Sequence, residues 1–476
     1  MHDNNKTVLI IGAGPSGLSA AYHAQKSGYR VVLLEKSDIA GGKGGSKQYK
    51  NFTVDFGPHA YHAMTKEITS LMENHSKGNL VDINIKQKLY ITKKPISYPM
   101  KIKEAVFNFG IGLNIKILTD FFISKTKSLF VKQSRNSFKQ FGEANFGKTL
   151  YDLCFGRYTE RVFRRSSDDI SVEYARRKLP NASLWGFIVG LLTKIHSKKD
   201  RESYLHVRRY MYHKNGIGNT YQEIAKGIID RGAEVIFNCE ISNIIISNDN
   251  KAQSVNLKLP EKRNIKCDYL ISTIPIDDFV NYTDKKITNH NFYEKKISYK
   301  HVVIVNVILD KPKFSENHWI YLVNDQFYFN RLSEQKNFST NCAPNNKTLI
   351  MLEVILDSDD EEWSWEGDQW RNKVEKELGF FNISSKEIED IWVTRMEKAY
   401  PLFLVGYEEA KNKILNDFVK FKNIISTGRY GLFLDVNMHD AMVLGAEGFR
   451  YLVENKVEEF YRDHKMVCIW KRNQKT

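Results

Sequence analysis

Apolar residues in this chain fall in short runs punctuated by glycine, polar turns and lysine. Lys6-Thr7-Val8-Leu9-Ile10-Ile11 is a β-branched run of the kind that forms a strand buried on both faces. Leu18 to Ala24 reads as a helix with small residues on one side, and Tyr29-Arg30-Val31-Val32-Leu33-Leu34 as a second buried strand. Asn51 to Phe56 predicts a short strand that breaks at Gly57-Pro58. From about Ile96 to Arg209 the pattern turns helical and irregular. Within it, Ala105 to Val131 is rich in Phe, Ile and Leu and interrupted by lysines, which suits either a core helix pair or an amphipathic surface that touches a membrane.

Regular alternation then resumes. A glycine turn at Asn215-Gly216-Ile217-Gly218 opens a helix over Thr220 to Arg231, Gly232 caps it, and Ala233 to Asn238 follows as a strand. Further strands are predicted at Ile241–Ser247, Ala252–Leu259 and Lys266–Pro275. A second excursion from His301 carries strands at Trp319–Leu322, Phe327–Arg331 and Thr348–Leu356. The acidic run Asp357 to Glu362 reads as a solvated loop, followed by a helix over Trp370–Leu378. Asn423 to Arg429 is one more buried strand, and Asn437 to Leu452 a closing helix with Ala441, Gly445 and Ala446 on a tightly packed face.

The loop Gly12-Ala13-Gly14-Pro15-Ser16-Gly17 joins the first strand to the first helix. Gly12 permits the tight turn, Gly14 lets backbone approach a pyrophosphate, and Gly17 lets helix and strand pack closely. The free N–H groups and dipole of the helix N-terminus favour an anion there. Glu35 ends the second strand close to the ~20-residue spacing expected of a ribose hydroxyl acceptor. Gly41-Gly42-Lys43-Gly44-Gly45 continues the glycine-rich pattern. The whole arrangement predicts a bound dinucleotide.

A chain of 476 residues is too long for one core. No stretch of about twenty apolar residues stands out and the first strand starts almost at once, so neither a spanning helix nor a secretory signal is expected. Cys154, Cys239, Cys267, Cys342 and Cys468 form no CxxC pair, which suits free thiols in a reducing cytoplasm. The net charge is +15, and residues 101–215 hold 23 Lys+Arg against 10 Asp+Glu. That excess can serve an anionic substrate or an acidic membrane surface, or simply be a solvated helical face. No recognised nucleic-acid fold accompanies it. His59 and His62 lack helical spacing and a Cys or carboxylate neighbour, so no metal site is read there.

Taken together, Gly12 to Gly17 with Glu35 and Gly41-Gly42, the Gly57-Pro58-His59-Ala60-Tyr61-His62 block, Arg157 to Phe163, the Asn215–Gly218 turn, Asn330 to Phe338, and Gly428-Arg429 through Asn437-Met438 resemble the FAD-dependent amine-oxidase superfamily. The resemblance is strongest to the branch holding protoporphyrinogen-oxidase-like proteins and UDP-galactopyranose mutase. It implies an α/β fold: a Rossmann-like (GR2-type) FAD-binding domain with a twice-inserted α+β substrate domain. The expected boundaries are 1–95, 205–285 and 396–465 for the FAD domain, and 96–204 and 286–395 for the substrate domain.

By that resemblance Gly12, Gly14, Pro15, Ser16, Gly17, Glu35 and Lys36 hold the ADP part of FAD, and Gly42 and Lys43 follow its pyrophosphate and ribityl chain. Gly57, Pro58 and His59 face the flavin ring, while Gly428, Arg429, Asn437 and Met438 close over it. No Cys lies between Gly428 and Gly445, so FAD is expected to be non-covalent. Arg161, Arg331 and Lys336 would bind an anionic group on a small-molecule substrate, and His59 and Tyr328 are the catalytic candidates. The implied reaction is hydride transfer from an organic, anionic substrate to flavin N5. A second reading is a non-redox isomerase of a nucleotide sugar that uses reduced flavin as a nucleophile. A third is a flavin-retaining scaffold. Phe433 stands where the mutase carries a tyrosine hydroxyl, and Ala399 to Tyr407 looks more like the oxidase-like relatives. The expected setting is the cytoplasm, with peripheral contact to the inner membrane face through 105–132.

Overall fold

The run Thr7–Ile11 becomes the central strand of a five-stranded sheet in a computed structural model of the chain, which describes residues 6–98, 102–130, 136–178, 209–283 and 296–464. Cys468, residues 131–132 of the Lys- and Phe-rich segment, and 179–208 of the irregular helical region lie outside the described residues. Across the sheet the order is Glu234–Ile236, Arg30–Leu34, Thr7–Ile11, Tyr269–Ser272, Ile424–Ser426, and each neighbouring pair is parallel. Val8 to Ile11 and Val31 to Leu34 are buried, as β-branched and leucine runs must be in a sheet covered on both faces. Helix Pro15–Lys26 packs along the late helix Met438–Val453.

Two compact units result: 1–83, 209–298 and 408–476 in the first, and 84–208 and 299–407 in the second. The first boundary falls before the expected 95 because Gln87–Tyr90 and Ile96–Ser97 join the second unit's sheet through Trp319–Leu322. The last falls after 396 because Ile388–Leu402 is a strand of that same sheet.

The second unit is built on a seven-stranded sheet ordered Ile388–Leu402, Ser298–Leu309, Thr348–Leu356, Arg331–Glu334, Trp319–Leu322, Gln87–Tyr90, Ile96–Ser97. Val303, Val305, Val307 and Leu309 alternate onto one face with Ile350, Leu352, Val354 and Leu356. Trp370, Val374 and Leu378, four residues apart on helix Gly367–Gly379, cover that face.

Three expectations are corrected. Phe327–Arg331 is not a strand; the ladder begins at Arg331, because the preceding backbone is captured by side chains instead. Arg161 donates to the carbonyls of Leu322, Asn324 and Phe327, and the Glu377 carboxylate accepts the Tyr328 N–H at 3.1 Å. Asp357 to Glu362 is not merely solvated. Asp357 sits 2.6 Å from the fully buried Lys300 ammonium, Asp360 2.9 Å from Arg164, and Glu362 accepts the Tyr328 hydroxyl at 2.8 Å. Finally, among the described residues one helix is long and apolar enough to cross a membrane: Glu104–Lys127, within the helix Ile102–Phe130 that kinks at Gly110. Lys116 and Asp120 break up the run in sequence without lowering its average apolarity enough.

Glu377 lies 4 % exposed on the core-facing side of its helix, and burial pushes its carboxyl up to about 7 from 4.5. Its folded form thus holds a proton that the unfolded chain releases, so stability should fall as pH rises from about 4.5 to 7. The shift corresponds to about 3 kcal/mol. Glu377→Gln should flatten urea midpoints measured at pH 5, 6.5 and 8 and raise the one at pH 8. An unchanged slope would exclude Glu377 as its source.

Candidate nucleotide and active site

Three glycines of the loop answer to three different constraints. Gly12 has φ +101°, outside the range ordinary side chains adopt, and a Cβ there would meet Thr273 Oγ1 at 2.4 Å. A Cβ on Gly17 would strike the Gly12 carbonyl oxygen at 1.8 Å, so helix and loop close only on a glycine. Gly14 differs: the nearest atom to its would-be Cβ is Gly42 Cα at 4.0 Å. The protein leaves room there for an incoming group to touch backbone.

Helix Pro15–Lys26 starts beside that opening, with Pro15 in its first turn, no side-chain cap on Gly14 and no acidic residue in the first turn. Its leading N–H groups therefore carry no built-in anion. Ser16 Oγ is buried without a hydrogen-bond partner. Glu35 is 6 % exposed; its Oε2 accepts the Ala13 N–H at 2.7 Å, and its Oε1 accepts the Ser37 N–H at 2.9 Å and hydroxyl at 2.8 Å. The carboxylate is thus tied to the loop, and Oε2 keeps a lone pair for a ribose hydroxyl. A pyrophosphate-ribose unit fits this donor and acceptor set. Lys36, the next residue, is exposed.

Four further segments converge in the same unit. Gly42 comes within reach of Gly14, a Cβ on it meeting Gly14 Cα at 3.2 Å, while Lys43 lies 5.4 Å over the Tyr430 ring. Phe56 N–H donates to Gly45 at 3.0 Å, which leads the half-buried His59 and the buried Gly57 and Pro58 out of that turn. Gly428, with φ +80°, lies against Ser16, where a Cβ would meet Oγ at 2.8 Å. Arg429 pairs with Asp435 at 2.9 Å. Asn437 caps the late helix in a reciprocal box with Asp440, and Met438 Sδ accepts the Tyr221 hydroxyl at 3.1 Å.

Sequence reading missed Asp55, Tyr61, Tyr221 and His439. Asp55 accepts the Ser46 hydroxyl at 2.5 Å and the Tyr212 hydroxyl at 2.6 Å, and Ser46 Oγ in turn accepts the Gly218 N–H at 2.7 Å. Tyr61 Oη meets His439 Nδ1 at 2.9 Å across 378 residues. Burial pushes His439 down to about 4 and Tyr61 above its usual range, so both are neutral near pH 7. Tyr61 in the Gly57–His62 block and His439 beside Met438 were both adjacent to chosen residues; only their pairing was invisible.

The remaining candidates belong to the second unit, each with partners of its own. Arg331 makes a bidentate pair with Glu353 at 2.7 Å through both nitrogens. Lys336 faces the carbonyls of Pro312, Pro344, Asn345 and Lys347 at 2.7–3.0 Å. Arg161 holds the three carbonyls described above. Glu334, between Arg331 and Lys336 in sequence, instead accepts from the Phe314 and Ser315 N–H groups, the Asn337 amide and the Thr348 hydroxyl. Tyr328 has Lys373 3.7 Å over its ring, and its hydroxyl is bound to Glu362.

A family model described as flavin containing amine oxidoreductase matches residues 15–412. Protoporphyrinogen oxidase 2, chloroplastic/mitochondrial, of Arabidopsis thaliana is 27 % identical over 205 residues, 41 % of this chain and 40 % of that protein. Chloroplastic prolycopene isomerase of Daucus carota is 24 % identical over 299 residues, 56 % of this chain and 45 % of that protein. The chain thus spans less than half the length of these curated relatives. The crystal structure of reduced UDP-galactopyranose mutase shares the fold, with a TM-score of 0.78 at 20 % identity over 96 % of this chain and 98 % of that one.

Two substitutions probe these assignments. Glu35→Gln should weaken FAD binding about 10- to 100-fold, the worth of one or two hydrogen bonds to a charged acceptor, in a fluorescence titration of apoprotein. Unchanged affinity would remove Glu35 from the site. Arg331→Ala leaves Glu353, 4 % exposed, as a buried charge without its counterion. It should cost about 3–5 kcal/mol in chemical denaturation, and Arg331→Met with Glu353→Leu much less. A stable Arg331→Ala protein with weakened substrate binding would instead make Arg331 a ligand-binding group.

Proposed function

We propose, from the premise that the chain belongs to the flavin-containing amine oxidoreductase family, that it is an FAD-dependent enzyme that oxidises an organic substrate by hydride removal. The observation that carries the cofactor's place is the constellation of half-buried Gly14, buried Ser16 Oγ, the uncapped helix start and buried Glu35. Bound there, FAD supplies a two-electron acceptor that no side chain can provide. The helix start and Ser16 would hold the pyrophosphate, and Glu35 the ribose. The Gly57–His59 segment and the capped helix at Asn437-Met438 would position the ring end.

Attachment would be non-covalent. Burial, with Glu35 adding to it, pushes the Cys239 thiol up to about 11, and burial pushes Cys154 and Cys267 up to about 12. None of these is an activated nucleophile.

A second reading, an isomerase, draws support from the prolycopene isomerase relative and from the fold shared with the reduced mutase. Its nucleotide-sugar form needs cations for a diphosphate. Arg161, Arg331 and Lys336 already serve internal carbonyls and a carboxylate, which favours the redox reading. An anionic substrate then rests on the basic excess of 101–215 rather than on these three side chains.

An absorption spectrum, dithionite reduction and readmission of air test the proposal. The purified protein should show flavin bands that bleach and return rapidly in air. Slow return, with nucleotide-sugar turnover only in the reduced state, would transfer the assignment to the isomerase. No flavin even after reconstitution with FAD would overturn both.

A further inference from the structure

Helix Ile102–Phe130 has two apolar sides, and among the described residues only one has a partner. On the inner side Ile117 and Phe121 are buried, Asp120 accepts from Thr149, Ser124 Oγ donates to the Glu143 carbonyl at 2.8 Å, and Lys125 Nζ to that of Ala144 at 3.1 Å. The outer side carries Ile111, Ile115, Leu118 and Phe122, spaced four, three and four residues apart and so aligned in one stripe. Ile111 is 82 % exposed and Ile115 60 %. Phe107, on the short arm before the Gly110 kink, is 83 % exposed, with Val106 beside it. Water is a poor solvent for such a stripe.

Its polar groups are arranged for a solvent that cannot hydrogen-bond. Thr119 Oγ1 donates to the Ile115 carbonyl at 2.9 Å, and Thr126 Oγ1 to that of Phe122 at 2.8 Å, each turning its hydroxyl back onto the helix. The kink at Gly110 frees carbonyls, and Asn114 Nδ2 bonds both Val106 and Gly110 at 2.7 Å. Backbone satisfied within its own segment is what a hydrocarbon environment demands. Exposed Lys116 and Lys127, eleven residues and three turns apart, line one edge of the outer arc, from where their chains can snorkel. Residues 101–132 hold six lysines against Glu104 and Asp120. A second copy of this face would meet like charge, whereas an anionic leaflet would meet opposite charge.

We propose that the outer stripe of this kinked helix docks the protein on one leaflet of an anionic membrane, lying in the interface rather than crossing it. The inner contacts to 143–149 favour it: bonded to its own unit through Asp120, Ser124 and Lys125, the helix does not have its inner side free for lipid there.

Flotation of the FAD-loaded full chain on vesicles tests this. With 30 % phosphatidylserine in phosphatidylcholine the protein should float; with pure phosphatidylcholine, or in 0.5 M salt, partitioning should fall about tenfold. Phe107→Ser with Ile111→Ser should lower it at least tenfold while flavin content stays unchanged, since both side chains lie outside the core. Lys116→Glu with Lys127→Glu should abolish the preference for phosphatidylserine. Recovery wholly in the soluble fraction would overturn the proposal, as would flotation unaltered in the serine variant. Resistance to alkaline carbonate would show a spanning helix instead. A dimer in light scattering that the serine variant dissolves would make the stripe a protein interface.

Discussion

Ser16 is the point on which the nucleotide loop closes, and everything in the first unit is arranged to let backbone reach it. A Cβ on Gly445 would lie 2.0 Å from its carbonyl oxygen, and one on Gly428 2.8 Å from its hydroxyl. Any side chain at 445 would lever the late helix Met438–Val453 away from helix Pro15–Lys26. The strand Ile424–Ser426, next to Tyr269–Ser272, is tied to that late helix through Thr427 Oγ1, which donates to Leu444 at 2.8 Å. The loop is therefore completed by residues more than 400 positions later in the chain. The entropic cost of such a long-range closure grows only slowly with the length of chain between its ends.

The second half of the scaffold is a buried polar knot. Asp55 is 1 % exposed, yet both its oxygens are satisfied, by Ser46 and Tyr212, and Ser46 passes the connection to the start of helix Gly218–Ile229. A buried carboxylate with full partners fixes one geometry, because each alternative leaves a polar group without a bond. It holds the 42–46 turn against the 216–218 turn, where a Cβ on Gly218 would lie 2.1 Å from Ser46 N. Glycine pattern and carboxylate act together: one allows the approach and the other selects it.

How much of this the sequence discloses depends on where the cause lies. Strand Thr348–Leu356 was legible to the residue, because its β-branched and leucine run needs no partner to identify it. The helix at Met438–Val453 was legible from Ala441, Gly445 and Ala446 on one tightly packed face. Phe327–Arg331 has the composition of a strand and is not one, because Arg161 takes the Phe327 carbonyl and Glu377 the Tyr328 N–H from elsewhere in the chain. Local propensity cannot register a competitor 166 residues away. The pairing of Tyr61 with His439, and the burial of Lys300 against Asp357, are of the same kind. Individual chemistry could be read; long-range partners could not.

That distinction bears on the chemistry. The block Arg331-Leu332-Ser333-Glu334-Gln335-Lys336 looks in sequence like a charged binding motif, or like an ion-pair cluster closed on itself. In three dimensions its charges turn to partners outside the block. Arg331 turns to Glu353 on the neighbouring strand, Glu334 gathers four donors from 314–348, and Lys336 gathers carbonyls around 312–347. Glu334 and Lys336 thereby replace bonds that loop backbone would otherwise seek from water. A ligand approaching Arg331 would meet a guanidinium already neutralised, through Nε and Nη2, by a buried carboxylate.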